Sequence, residues 1–122
     1  MSDVKFIEFQ NRRILLMDFS DVKDDALLSQ LAARSIASVH AEEKPHSVLA
    51  VLDFSGTRFN RNTIASMKRM SRNNGPFMKS VAFVGLPDLL AVIGRLFLRI
   101  SGRKNHRVFA DRGAALRWLA QQ

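Results

Sequence analysis

The chain contains no cysteine. That excludes a disulfide framework, a thiolate metal site and a cysteine nucleophile. Its N-terminus, Met1-Ser-Asp-Val-Lys-Phe-Ile-Glu-Phe9, has no basic region followed by a long apolar core, so no secretory signal is expected. The longest apolar run, LPDLLAVIGRLFLRIS, is interrupted by Asp88, Gly94, Arg95 and Arg99, which argues against a bilayer span. Spaced glycines ending in Gly-Lys-Ser/Thr are missing, which removes the common phosphate-binding loop. His40, His46 and His106 are isolated and lack metal-ligand spacing. No paired carboxylates stand at a distinctive spacing, and Asp18, Asp53 and Ser55 do not assemble into a triad on sequence alone. The expectation is a cytoplasmic, non-enzymatic protein with no metal and no cofactor.

What is present describes one globular domain. Its 122 residues are 47% hydrophobic and 25% charged, enough for a packed core. Charge is divided unevenly. Residues 1–53 carry six Lys/Arg and nine Asp/Glu, a net −3, whereas residues 54–122 carry thirteen and two, a net +11. Such a division points the second half toward an anionic partner, or toward nothing more than a soluble basic surface.

Hydrophobic periodicity gives the element order. Val4–Phe9 and Arg12–Phe19 read as a β-hairpin turning at Gln10-Asn11. A helix follows from about Lys23 to Glu43, with Leu27, Leu28, Leu31, Ile36 and Val39 inward. Asp21, Asp24 and Asp25 crowd its start, where the helix dipole favours negative charge. Ser47–Phe54 is almost wholly apolar, the mark of a strand covered on both faces. A helix over Asn60–Asn74 follows, then a strand at Lys79–Leu86 and a helix over 88–101. The last strand is His106–Asp111, and the terminal helix buries Leu116, Trp118 or Leu119. This alternation predicts an α/β domain with a mixed, mostly parallel sheet of about five strands and four helices.

Three segments are candidates for function. The turn DFSGTRFNRNT, Asp53–Thr63, lies between a buried strand and a helix. Asn60 suits an N-cap, Gly56 a sharp turn, and the amides of Arg61, Asn62 and Thr63 would face an anion at the helix start. Ser55, Thr57 and Arg58 complete this ligand- or partner-binding set. Next, Lys68 and Arg72 continue one helical face from Arg61 as a basic stripe. The nine Phe and one Trp occupy core-like positions, so the stacking surface that nucleic-acid binding needs is missing. Last, Leu89, Ile93, Leu96 and Phe97 with Arg95 and Arg99 would give the 88–101 helix more apolar surface than one core face requires. That helix would serve a homodimer, a hydrophobic ligand or a membrane surface.

The order of elements, with SVLAVLDFSGTRFNRNTIASMKRMSRNNGPFMKSVAFVG (47–85) and SGRKNHRVFADRGAALRWLA (101–120), resembles the STAS family, the sulfate-transporter and anti-sigma-factor-antagonist domain. GTRFN, NGPFMKS before VAFVG, SGR, VFAD and ALRWL are similar to marks of its SpoIIAA-like bacterial branch. The resemblance implies a single domain over 1–122 with a regulatory or scaffolding role. In the antagonists an Asp-Ser-Ser-Gly tetrad carries a phosphorylated Ser. That tetrad falls on Asn60, Arg61, Asn62 and Thr63, so no Ser occupies it and Thr63 is the sole hydroxyl left as an acceptor. The reading is a module that binds a protein partner or small anionic ligand near 53–63. The alternative is a lipid or membrane-surface domain using 88–101.

Overall fold

The computed structural model describes residues 3–85 and 106–122. Strands β1 (Asp3–Phe9) and β2 (Arg12–Asp18) form the antiparallel hairpin. Gln10 and Asn11 both take positive φ, 50° and 64°, as a two-residue hairpin turn requires. Helix α1 (Asp25–His40), strand β3 (Val48–Asp53), helix α2 (Arg61–Asn74), a short 3-10 turn (Gly75–Phe77), strand β4 (Met78–Val84), strand β5 (His106–Phe109) and helix α3 (Arg112–Ala120) follow. The five strands stand in the order β1-β2-β3-β4-β5, and β2 through β5 are parallel. The described residues thus hold three α-helices. The fourth predicted helix, 88–101, lies outside them, and with it Leu89, Ile93, Arg95, Leu96, Phe97 and Arg99.

Alternation along the strands divides the core into two layers. Leu15, Met17, Val48, Ala50 and Leu52 point to one face and meet Leu28, Leu31 and Val39 of α1 and Met67 and Met70 of α2. Ile14, Leu16, Leu49, Val51, Ala82 and Val84 point to the other and meet Ala115, Leu116 and Leu119 of α3. All six residues of β3 are buried, so its unbroken apolar run follows from having helices on both sides.

Element ends are decided by caps. Helix α1 is shorter than the predicted 23–43 because the Asp24 carboxylate accepts from the Ala26 amide at 2.9 Å and starts the helix there. Likewise β5 ends at Phe109, since Asp111 turns to accept from Ala114 N at 2.8 Å and caps α3. One inward assignment is corrected. Leu27 is 38% exposed, because the buried stripe of α1 runs through Leu28, Leu31, Ala32, Ser35 and Val39, and position 27 stands off its edge.

Just beyond β2 and β3, Phe19 and Phe54 stack with ring centroids 5.3 Å apart, and Phe59 packs on Phe54 at 5.5 Å. Both Phe19 and Phe54 are essentially fully buried. This aromatic trio seats the turn 53–63 on the core. Phe54→Ala is expected to lower unfolding free energy by about 3–5 kcal/mol, measured by urea denaturation. A loss under about 1 kcal/mol would mean the trio does not anchor the turn.

Candidate binding site at the carboxyl end of the sheet

Two short segments of the chain share the sequence Asp-Phe-Ser: 18–20 and 53–55. Sheet register places Asp18 directly beside Asp53, so the two segments leave adjacent parallel strands in step. In each, the carboxylate turns back on its own loop. Asp18 Oδ1 accepts from the Ser20 amide at 3.0 Å, and Asp53 Oδ1 accepts from the Ser55 amide at 3.0 Å and the Ser55 hydroxyl at 2.7 Å. Ordinary Asx chemistry therefore shapes both turns. The loops also continue the sheet's hydrogen bonding: Phe19 N donates to Asp53 O, Asp21 N to Ser55 O and Phe54 N to Val84 O at 2.7–2.9 Å.

Burial of two neighbouring carboxylates requires a cation. Arg112, the first residue of α3, supplies it. Its guanidinium lies 2.8 Å from Asp53 Oδ2 and 3.1 Å from Asp18 Oδ2, and its Nε donates to Asp53 at 3.0 Å. Burial works to raise the Asp18 pKa. The bonds from Ser20 and the guanidinium outweigh it and hold Asp18 below the usual carboxylate range. Burial likewise works against the Arg112 charge, and the two carboxylates overcome it, so its pKa is raised.

The second turn then runs into α2. Gly56 holds φ +71°, and a Cβ there would collide with the Asp21 carboxylate. Gly85, at φ +69°, lets the end of β4 pass against the Ser55 backbone. Thr57 donates its hydroxyl to Phe19 O, and Arg58 N donates to Val22 O at 3.0 Å, lacing this turn to the one after β2. Asn60 caps α2 as predicted. Its side chain accepts from Thr63 N at 3.0 Å while Thr63 Oγ1 accepts from Asn60 N at 2.7 Å, a reciprocal capping box. Thr63 is 2% exposed and its hydroxyl is committed to this box, so a kinase would meet a buried group.

Helix α2 opens with Arg61, a cation where the dipole prefers an anion, and its first turn has no acidic residue. The compensating charge comes from α1. Asp25 accepts from Asn60 Nδ2 at 2.8 Å and from Asn62 Nδ2 at 3.0 Å. Those two bonds outweigh the opposing loss of hydration and hold the Asp25 pKa below the usual range, and Arg58 adds to the effect. The Asn60 and Asn62 side chains, both in the predicted ligand- or partner-binding set, thus already hold a carboxylate of this chain. Open α/β sheets hold ligands in a crevice where the strand order reverses, and β3 has no such crevice. The strand order does not reverse there, and α1 and α2 pack on the same face.

Of the predicted set, Ser55, Gly56, Thr57, Arg58, Asn60, Arg61, Asn62 and Thr63 lie together on this rim. Ser55, Arg58, Arg61 and Asn62 are exposed. Lys68 and Arg72 are exposed farther along α2. Sequence reasoning missed Arg112, Asp18 and Asp25 as neighbours of the turn. The paired Asp-Phe-Ser segments were the signal for Asp18. Nothing local marks Arg112, which lies 59 residues from Asp53.

A crystal structure of an uncharacterized protein of the DUF3478 family from Shewanella loihica PV-4, described as having a SpoIIAA-like fold, matches this chain with a TM-score of 0.66. The match has 18% sequence identity and covers 95% of this chain and 91% of that one. The fold is SpoIIAA-like. No protein-family model and no curated protein matches the sequence. A SpoIIAA-like fold hosts function in its sites, so the role of this chain has to be argued from the rim itself. Among the described residues, no cluster of three or more His, Asp or Glu side chains could hold a metal ion. Nor is any helix among them long and apolar enough to cross a membrane.

The rim of this SpoIIAA-like fold makes a pH prediction. The folded Asp18 pKa is depressed, so its stabilisation is complete above its unfolded value near 3.8 and is lost as pH falls through the lower folded value. Arg112→Met should lower stability at neutral pH by about 2 kcal/mol, moderated because over a third of the Arg112 side chain meets solvent. The gap from the parent chain should narrow as pH drops below about 4. Urea unfolding across pH tests this, and a gap constant with pH would sink the clamp.

Proposed function

We propose that this protein is a non-enzymatic binding module that takes an acidic segment of a protein partner on α2 and the turn before it. The observation that carries this reading is the Asp25 carboxylate on Asn60 and Asn62, which displays how the rim receives a carboxylate. Beyond it, α2 has no Asp or Glu and carries Arg61, Lys68, Arg69 and Arg72, all exposed. Arg69 reaches back to Ser29 Oγ at 3.5 Å, while Arg61, Lys68 and Arg72 follow one face of the helix by their spacing. Charge of one sign on an exposed helix gives fast, salt-dependent encounter with an acidic surface. The SpoIIAA-like fold is compatible with a regulatory or scaffolding role. A lipid or membrane-surface role would rest on 88–101, outside the described residues.

Titration of the labelled protein with a Glu-rich peptide, followed by amide chemical shifts, tests the reading. Shifts should cluster at 58–72 and weaken as salt rises. The double charge reversal Lys68→Glu with Arg72→Glu should reduce affinity at least about tenfold. Asp25→Asn removes the competing negative charge and should tighten peptide binding by a few-fold. Peptide binding that ignores Lys68, Arg72 and Asp25 alike would refute the assignment.

A further inference from the structure

At the opposite end of the sheet a second feature stands apart from the rim. A cavity of about 270 Å3 opens between Phe6 of β1, Arg13 of β2, Val48 of β3 and the α1–β3 loop carrying Glu42, Lys44 and Ser47. Its apolar side belongs to the core: Val48 is 3% exposed, and Phe6 packs against the same layer as α1. Its polar side is a set of charges with a simple balance. The Arg13 guanidinium lies over the Phe6 ring, 3.6 Å from its centroid, and pairs with the Glu42 carboxylate. Those two charges cancel. Lys44 is exposed and has no ion-pair partner among the described residues, which leaves the cavity one positive charge in excess.

The loop that presents Lys44 is held in one shape. Lys44 N donates to Glu42 O at 2.7 Å, and the Ser47 hydroxyl donates to Lys44 O at 2.8 Å. His46 N and Ser47 N donate to Pro76 O and Phe77 O at 3.1 and 3.0 Å, fastening the loop to the 3-10 turn. Lys44 lies beyond the last turn of α1, past the range over which a helix C-terminus would account for its placement.

We propose that this cavity binds a small organic monocarboxylate, with the carboxylate on Lys44 and an apolar body over Phe6 and Val48. A neutral apolar guest would desolvate the Lys44 ammonium without pairing it. A monoanion cancels the single excess charge and gains a charge-assisted hydrogen bond. Size agrees with this: a cavity of about 150 Å3 accommodates benzene, and this one leaves room for a carboxylate as well. The site is separate from the α2 face, and neither assignment needs the other.

Benzoate is a suitable probe, with benzyl alcohol as its neutral counterpart, added at constant ionic strength while amide shifts are recorded. Benzoate should perturb Phe6, Arg13 and 42–48 in a saturable way. Benzyl alcohol should bind about tenfold or more weakly, the loss of one charge-assisted contact. Lys44→Ala, a change at an exposed loop position, should cost benzoate a similar factor, while Lys68→Ala should leave it unaltered. The proposal is overturned if benzoate leaves 42–48 unshifted at millimolar concentration. Equal binding of the alcohol, indifference to Lys44→Ala, or shifts confined to 58–72 would overturn it too.

Discussion

The reach of Arg112 across the ends of β2 and β3 is the contact on which the rim depends. Two carboxylates are brought side by side by sheet register, and each is nearly buried, with Asp18 at 8% and Asp53 at 5% exposure. Neighbouring like charges in a low-dielectric setting repel, and each also loses hydration. One guanidinium, aimed from the start of α3, answers both. Because α3 packs on the face opposite α1 and α2, the same contact joins the two layers at the end of the sheet where the loops emerge. It closes over two turns whose shapes come from the bonds that Asp18 and Asp53 make to their own loops.

A second electrostatic arrangement sits one shell farther out. Helix α2 starts with a cation and has no acid of its own, a local choice that disfavours the helix start. Natural chains depart from local rules chiefly where something else is being served. Asp25, from the start of the adjoining helix, restores the balance through Asn60 and Asn62. Arg61, Lys68 and Arg72 have no acid on their own helix.

Much of the architecture was legible in advance, and the reasons are local. The two-residue turn at Gln10-Asn11, the unbroken apolar run of β3 and the capping residue Asn60 each act over a few neighbours, so each leaves a readable pattern. The turn 53–63 was identified for the same reason: caps, hydroxyls and a positive-φ glycine cluster in eleven residues. Its partners were not legible. Asp25 lies 35 residues from Asn60, and Arg112 lies 59 from Asp53. No periodicity connects such pairs. Leu27 shows the same limit on a smaller scale, since an apolar residue beside a stripe is assigned a side only when the opposing sheet is in place.

By itself, then, the sequence determined the α/β order of the described elements, the hairpin, the Asn60 cap and the uneven distribution of charge, because these arise from propensity and short-range hydrogen bonding. Tertiary structure alone decided which charges meet. It set Asp18 beside Asp53 by register, delivered Arg112 to both, and gave the amides of Asn60 and Asn62 an internal carboxylate. It also gathered Phe6, Arg13, Lys44 and Val48 around one cavity. Electrostatic partners act through space, with strength set by distance and burial, and neither quantity exists until strands and helices have packed.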